Sequence, residues 1–451
     1  MKTIFITLSD GEVSKSIIQS SVLGTLSREQ RVVLLVPQNK LEFFRRTVGS
    51  PQVVVEVIPP TPHPRLEEAF ADVFLYSLHT DSVPVKIEHS YYSGGGLLGR
   101  TLKYLLWWLG VLAPYRAVMR LLYRLVPDRS FDQLFAQYQP GLVFAANLTS
   151  MEDARLLKAA RRRGIKSLGM PKGWDNLTLK TFLPVFSDQL LVQNELMRED
   201  AARLGYPKER VTIVGFPKFD IYADHSALMP REQFMQAEGL DPAKKFIVYA
   251  GAGDQLAPYD EDILADFLDA IEDGTIEGSP QVLVRPHPKY AYHAERIAPR
   301  AFWVLDRPGT VVGNKQAEFE FSRADVGHLM NTLYHADLLV HTASTLGVEA
   351  CIFDKPSITL AYDGHAQVPK ELSTARYYAY IHLERVAAAQ GMKVARSFDE
   401  LVRYANEYLK DPSLDRAGRQ QIVRENAHTI DGKAGERIAE AVLTLCKAKE
   451  R

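Results

Sequence analysis

Apolar residues at the start of the chain fall into short continuous blocks, 3–8, 31–36 and 52–58, separated by stretches of helical period beginning near Val13 and Lys40. Continuous apolar blocks of this length suit strands buried on both faces of a parallel sheet, and the helical stretches supply the crossovers. The pattern predicts βαβαβ, the opening of a doubly wound sheet. It breaks at the proline-rich residues 59–64 and resumes at 142–146, 166–169, 189–192 and 211–214, so residues 65–138 read as an insertion. A second strand–helix series starts at 245–250 and continues through 281–285 and 336–341. Helical period dominates after about residue 395, and 432–447 predicts a terminal helix.

A chain of 451 residues that is 46% hydrophobic and 24% charged exceeds one ordinary core. The expectation is an α/β protein of two doubly wound, Rossmann-like domains. Residues 1–225 form the first, 226–425 the second, and a terminal helix in 426–451 packs back on the body. The 54 Lys and Arg nearly cancel the 55 Asp and Glu, so no global field points to nucleic acid, and any basic surface is local. Cys351 and Cys446 have no metal-ligand spacing and read as reduced, structural thiols. The first residues lack the charged, apolar, small-residue series of a secretory leader, which makes a cytoplasmic protein the expectation.

The insertion carries its own signal. After the flexible joint Gly94-Gly95-Gly96 come Arg100, Lys103, Trp107, Trp108, Arg116, Arg120, Arg124 and Arg129 among leucines and tyrosines. Arg116, Arg120 and Arg124 share one helical face, with Val118, Leu121, Leu122 and Leu125 on the other. Basic amphipathic helices with tryptophans, here 97–129, suit an anionic membrane surface. The plainer alternative is a hairpin that packs its apolar face on the first domain and leaves its arginines solvated. The longest apolar run, near 105–113, is about half of the roughly 20 residues a spanning helix needs.

Two motifs bear on chemistry. Val284-Arg285-Pro286-His287-Pro288-Lys289 sets cationic groups just after one strand, and His341-Thr342-Ala343-Ser344-Thr345 puts hydroxyls and backbone N–H groups where the next helix begins. Both lie at the carboxyl edge of the sheet, where doubly wound folds bind ligands, and together they suit a phosphorylated one. Gly251 and Gly253, after residues 245–250, let phosphate approach the backbone or form a plain turn. Glu349 sits one turn into the helix, placed to accept from vicinal sugar hydroxyls. Asp260-Glu261-Asp262 reads as helix capping, and His328, His335 and His382 as satisfied or solvated histidines.

With these motifs the chain resembles the GT-B glycosyltransferases, in which two doubly wound domains face a cleft. Gly347-Val348-Glu349 through Lys355-Pro356 is similar to that family's helix-then-strand signature, which makes Glu349 the ribose ligand. Arg285-Pro286-His287-Pro288 with Ser344 and Thr345 is similar to the CDP-glycerol glycerophosphotransferases and to bacterial surface-polysaccharide transferases. By that resemblance these residues hold diphosphate, with Lys315 reaching it from the irregular segment 311–321. Glycerophosphotransferases usually show Tyr-Ser-Ser and an aspartate where this chain has Ala343-Ser344-Thr345 and Glu349, and the departure favours a sugar donor. Pro171-Lys172-Gly173-Trp174-Asp175-Asn176 also looks like cell-surface sugar transferases.

The resemblance implies metal-independent transfer from a nucleotide sugar, with UDP or CMP/CDP as nucleotide. It implies a glycan or lipid-linked acceptor, no cofactor and a place at the inner face of the cell membrane. A base for the acceptor comes from the first domain: Asp10, Glu12 or Asp175, each of which equally suits a helix cap. The alternatives are a glycerophosphotransferase, an enzyme like the UDP-N-acetylglucosamine 2-epimerases, and a noncatalytic module recruited to the membrane.

Overall fold

The computed structural model of the chain describes residues 1–312 and 319–447, and Lys315 lies outside them. The chain forms two compact units, Met1–Asp220 with a segment that returns at Asp431, and Ile221–Ile430.

The first unit holds a seven-stranded sheet of β1 (Thr3–Thr7), β2 (Arg31–Val36), β3 (Val53–Val57), β4 (Pro140–Ala145), β5 (Lys166–Gly169), β6 (Gln189–Val192) and β7 (Val211–Ile213). Its order is β3-β2-β1-β4-β5-β6-β7 and every pairing is parallel. Ile4, Phe5 and Ile6 of the central strand are wholly buried, as an apolar block covered on both faces must be. The helical stretch from Val13 is two helices, Gly11–Ile18 and Ser21–Glu29. The break falls at Ser20, whose hydroxyl donates back to Ser16 O and accepts from Val22 N, ending one helix and capping the next.

The insertion forms helices Pro64–Tyr76, Ser82–Tyr92, Leu97–Leu109, Ala113–Leu125 and Asp132–Tyr138. Both sequence expectations turned its arginines outward; Arg120 instead points into the unit. Its Nε donates to Leu183 O at 2.9 Å and its Nη2 to Phe182 O at 2.8 Å, and burial pulls its pKa down to about 10. The terminal helix, Ala434–Lys447, buries Ile438, Ala439 and Val442 in the core of this first unit.

The second unit has β8 (Phe246–Ala250), β9 (Gln281–Val284), β10 (Trp303–Leu305), a small antiparallel ribbon of β11 (Thr310–Val311) and β12 (Phe319–Glu320), then β13 (Leu338–His341), β14 (Ser357–Leu360) and β15 (Lys393–Ala395). The six-stranded sheet runs β10-β9-β8-β13-β14-β15, all parallel. Strand order reverses between β1 and β4 in the first sheet and between β8 and β13 in the second. Loops leaving those strands diverge at the carboxyl edge, which is where such folds seat ligands.

Candidate functional site

In the second unit the loops after β8 and β9 are joined. His287 N donates to Gly251 O at 2.7 Å, and Asp254 N to Ala291 O at 3.0 Å. A Cβ on Gly251 would stand 2.3 Å from the Tyr292 ring, and one on Gly253, at φ +81°, 2.7 Å from Tyr290 Cβ. The two glycines, read as admitting phosphate or as a plain turn, admit the chain's own segment 290–292. His287 Nδ1 accepts from Lys289 N at 3.1 Å, its ring leans on Tyr290, and Lys289 is exposed beside them. Arg285 takes a different course: it is buried and ion-paired with Asp306. Asp306 also meets His328 at 3.3 Å. Burial opposes the charge on Asp306, but His328 and Arg285 outweigh it and hold the carboxyl below its usual range, while the same bond raises the His328 pKa.

Asp260 is the residue sequence reasoning undervalued. It begins the helix Asp260–Glu272, yet its buried carboxylate reaches back to the sheet edge. Oδ2 accepts from Ala252 N at 3.1 Å, Oδ1 from the Tyr249 hydroxyl at 3.2 Å, and Thr342 Oγ1 stands 3.5 Å away. One carboxylate therefore ties the loop after β8 to the loop after β13. Burial lifts its pKa to about 7. Glu261 accepts from His293 N at 2.9 Å, so the first two acids of the triplet fasten backbone.

After β13 the chain turns sharply, with Ala343 in the left-handed region at φ +47°. Ser344 N donates to His341 Nδ1 at 3.2 Å, and Ser344 Oγ accepts from Leu346 N at 3.2 Å. Burial drives the His341 pKa down to about 3, so the ring is neutral and an acceptor at Nδ1. Thr345 is exposed at the head of the helix Leu346–Ile352. Glu349 lies in that helix at 2% exposure and accepts a hydrogen bond from Tyr222, whose ring stands edge-on to Phe353 at 5.1 Å. The structure thus gathers Gly251, Gly253, His287 and Lys289 on two joined loops and Ser344, Thr345 and Glu349 on a third, while Arg285 is committed to Asp306.

In the first unit Asp10 and Glu12 stand at the start of the helix Gly11–Ile18, and Asp175 on the loop that carries Lys172. Asp10 caps the helix Gly11–Ile18, accepting from Glu12 N and Val13 N at 3.1 Å each, and its other oxygen meets Lys172 Nζ at 2.6 Å. Burial pulls the Lys172 pKa down, but the carboxylates of Asp10, Asp175 and Glu12 together outweigh it and the pKa is raised. Glu12 faces Lys218 at 3.6 Å, and Asp175 meets Lys180 at 3.2 Å. Lys218 in turn lies over the Trp174 ring, which packs on Phe216 at 4.8 Å. Both lysines were visible in sequence, each beside a glycine or proline and an aromatic after a strand; only the carboxylates had been singled out.

Fold and edges together define a GT-B architecture, the two-domain plan of nucleotide-sugar enzymes. Residues 180–444, more than half of the chain, match the family described as CDP-Glycerol:Poly(glycerophosphate) glycerophosphotransferase, and the protein belongs to that family. Among solved structures, the S. aureus MnaA–UDP complex aligns over 100% of this chain and 99% of its own at 15% identity, with a TM-score of 0.56. A putative UDP-N-acetylglucosamine 2-epimerase from Listeria monocytogenes aligns over 100% and 98% at 12% identity, TM-score 0.57. The Neisseria meningitidis UDP-GlcNAc 2-epimerase bound to UDP-GlcNAc aligns over 98% and 100% at 11% identity, TM-score 0.53. Identities this low establish the shared fold alone. No curated protein matches the sequence.

Proposed function

We propose that the protein transfers a glycosyl group from a nucleoside diphosphate sugar to a hydroxyl of a surface glycan or lipid-linked acceptor. The observation that carries this reading is Glu349, a buried carboxylate steadied by Tyr222 directly behind the Ser344–Thr345 turn. A carboxylate so placed accepts from vicinal ribose hydroxyls, while the turn's hydroxyls, His287 and Lys289 offset diphosphate charge. The acceptor oxygen forms its bond to the anomeric carbon as the bond to phosphate breaks. The nucleoside diphosphate leaves with the electron pair, and the hydroxyl proton passes to a base. Three donors occupy the oxygens of Asp10, two of them the backbone N–H groups of the helix that it caps. We assign Asp10 to positioning and Glu12, which stands beside Lys218, to proton removal.

A second reading, glycerophosphate transfer, is favoured by the family match over residues 180–444. There the acceptor attacks phosphorus and a nucleoside monophosphate leaves. The nucleotide product separates the two. We expect nucleoside diphosphate from one of a panel of UDP-, CDP-, GDP- and dTDP-sugars, with turnover lost in Glu12→Gln and nucleotide affinity reduced at least tenfold in Glu349→Ala. CMP released from CDP-glycerol would replace the first reading with the second, and absence of nucleotide binding would remove both.

A further inference from the structure

Eleven of the 17 exposed large apolar side chains among the described residues lie between residues 97 and 125. Nine occupy the outer faces of the helices Leu97–Leu109 and Ala113–Leu125, among them Leu98, Leu102 and Trp108 on one and Leu121, Leu122 and Leu125 on the other, and Val111 and Leu112 lie in the turn between them. Leu98 is 84% exposed, Trp108 63% and Leu125 69%. The inner faces carry polar anchors. Trp107 Nε1 donates to Thr80 O at 3.1 Å, Tyr115 OH meets Ser77 Oγ at 2.9 Å, and Arg120 binds the carbonyls of Phe182 and Leu183. This is the reverse of a helix on a water-soluble surface, which buries its apolar stripe and solvates its arginines. Apolar patches of this kind mark sites of interaction.

Length and charge identify the occupant. No single helix among the described residues is long and apolar enough to cross a membrane, and the two helices meet at a bend of 109°. Between residues 89 and 127 there is no Asp or Glu, while Arg124 and Arg129 stand exposed beside the apolar faces. A protein partner presenting a complementary polar rim would find no acidic side to pair with. Anionic headgroups around an apolar interior fit both features.

We propose that these two helices dock the protein on a phospholipid bilayer as a monotopic insertion, their leucines and Trp108 entering the acyl boundary and Arg124 and Arg129 meeting headgroup phosphates. Because Arg116 and Arg120 of the second helix are spent on the backbone carbonyls of Gly110, Leu183 and Phe182, apolar burial supplies most of the attachment and the charge of Arg124 and Arg129 only adds to it. Anionic lipid and low salt therefore strengthen binding without being required for it. The inference stands whichever group the enzyme transfers.

The test is co-sedimentation of the full chain with vesicles of phosphatidylcholine alone and with phosphatidylglycerol added, at low and at 0.5 M salt. Expected are binding to both, a severalfold gain on the anionic vesicles that salt removes, and a salt-resistant remainder. In Leu98→Glu/Leu121→Glu, at positions 84% and 51% exposed, partition falls at least tenfold while the far-ultraviolet circular dichroism is unchanged. Brominated acyl chains quench wild-type tryptophan emission, and Trp108→Phe removes most of that quenching. Absence of binding to either vesicle, binding abolished outright by salt, or burial of the patch in a stable homodimer by light scattering would each overturn the proposal.

Discussion

Asp153 and Asp260 are both buried aspartates in the first turn of a helix that follows a switch-point strand, one in each unit. Asp153 accepts from Asn147 N just after β4, with the Thr7 hydroxyl of β1 beside it; Asp260 accepts from Ala252 N just after β8, with Thr342 beside it. Burial lifts both to about 7. An ordinary aspartate titrates near 3.9, so between about pH 4 and pH 7 the folded chain holds a proton that the unfolded chain has released. Stability from each group is greatest at the acid end of that window and falls as pH rises through it, by roughly 4 kcal/mol at most. Asp260→Asn retains an acceptor for Ala252 N but never ionises. From pH 5 to pH 8 the wild-type melting temperature should drop relative to this variant by about 5–10 °C. A gap that stays constant across the range would place the Asp260 pKa near its ordinary value. Sequence could supply the residue but not its role: an acid at a helix start complements the dipole by default, and only the fold brings Ala252 N and Thr342 to it. Arg285 shows the same limit, since a cation after a strand reads as a phosphate ligand until Asp306 arrives from a neighbouring strand end.

At the scale of elements, the legible parts were those whose period is set by burial on both faces. The strands β1, β2, β4, β8 and β13 were readable as apolar blocks because both faces of each are covered. The edge strands β10 and β15, three residues each, were not, since neither carries a run long enough to stand out from a loop. The switch-point turn was legible as a motif, but its internal support was not. Gly347 follows that turn because a Cβ there would lie 2.5 Å from His341 Nε2 and 2.9 Å from Met392 Sδ. The imidazole cannot swing aside without releasing Ser344 N. Gly347→Ala should therefore cost about 1–3 kcal/mol, seen as a lower melting temperature, and should weaken nucleotide binding by shifting Ser344. Gly327, inside the helix Arg323–His335, has nothing within 4 Å of its Cβ position. Gly327→Ala should be neutral or stabilising by up to about 1 kcal/mol. Helix propensity favours alanine at both positions, so equal losses in the two variants would show that the Gly347 effect does not come from the close approach.

At the scale of the whole molecule, sequence anticipated the two sheets and a returning helix, but not which core the helix completes, because its apolar stripe fits either. Asp220 decides it. Its carboxylate accepts from Ala434 N at 2.9 Å and Gly435 N at 2.7 Å, capping from more than two hundred residues away the helix that fills the first unit. Gly435 then lies against Ser21, where a Cβ would come within 2.6 Å of Oγ. The first unit is thus closed only when the last segment is in place, whereas residues 221–430 contain their own sheet and core. Cooperative units of this kind open with separate free energies. A chain ending at Gly432 should lose protection from hydrogen exchange in β1 and β4 by at least tenfold, while β8 and β13 exchange as they do in the full chain. Asp220→Ala, which removes the cap and keeps the helix, should move the same amides in the same direction by a smaller factor, in line with about 1–2 kcal/mol for a lost cap. If β8 and β13 exchanged faster by the same factor, the two cores would be one cooperative unit, and the division at Asp220 would describe the path of the chain and not its energetics.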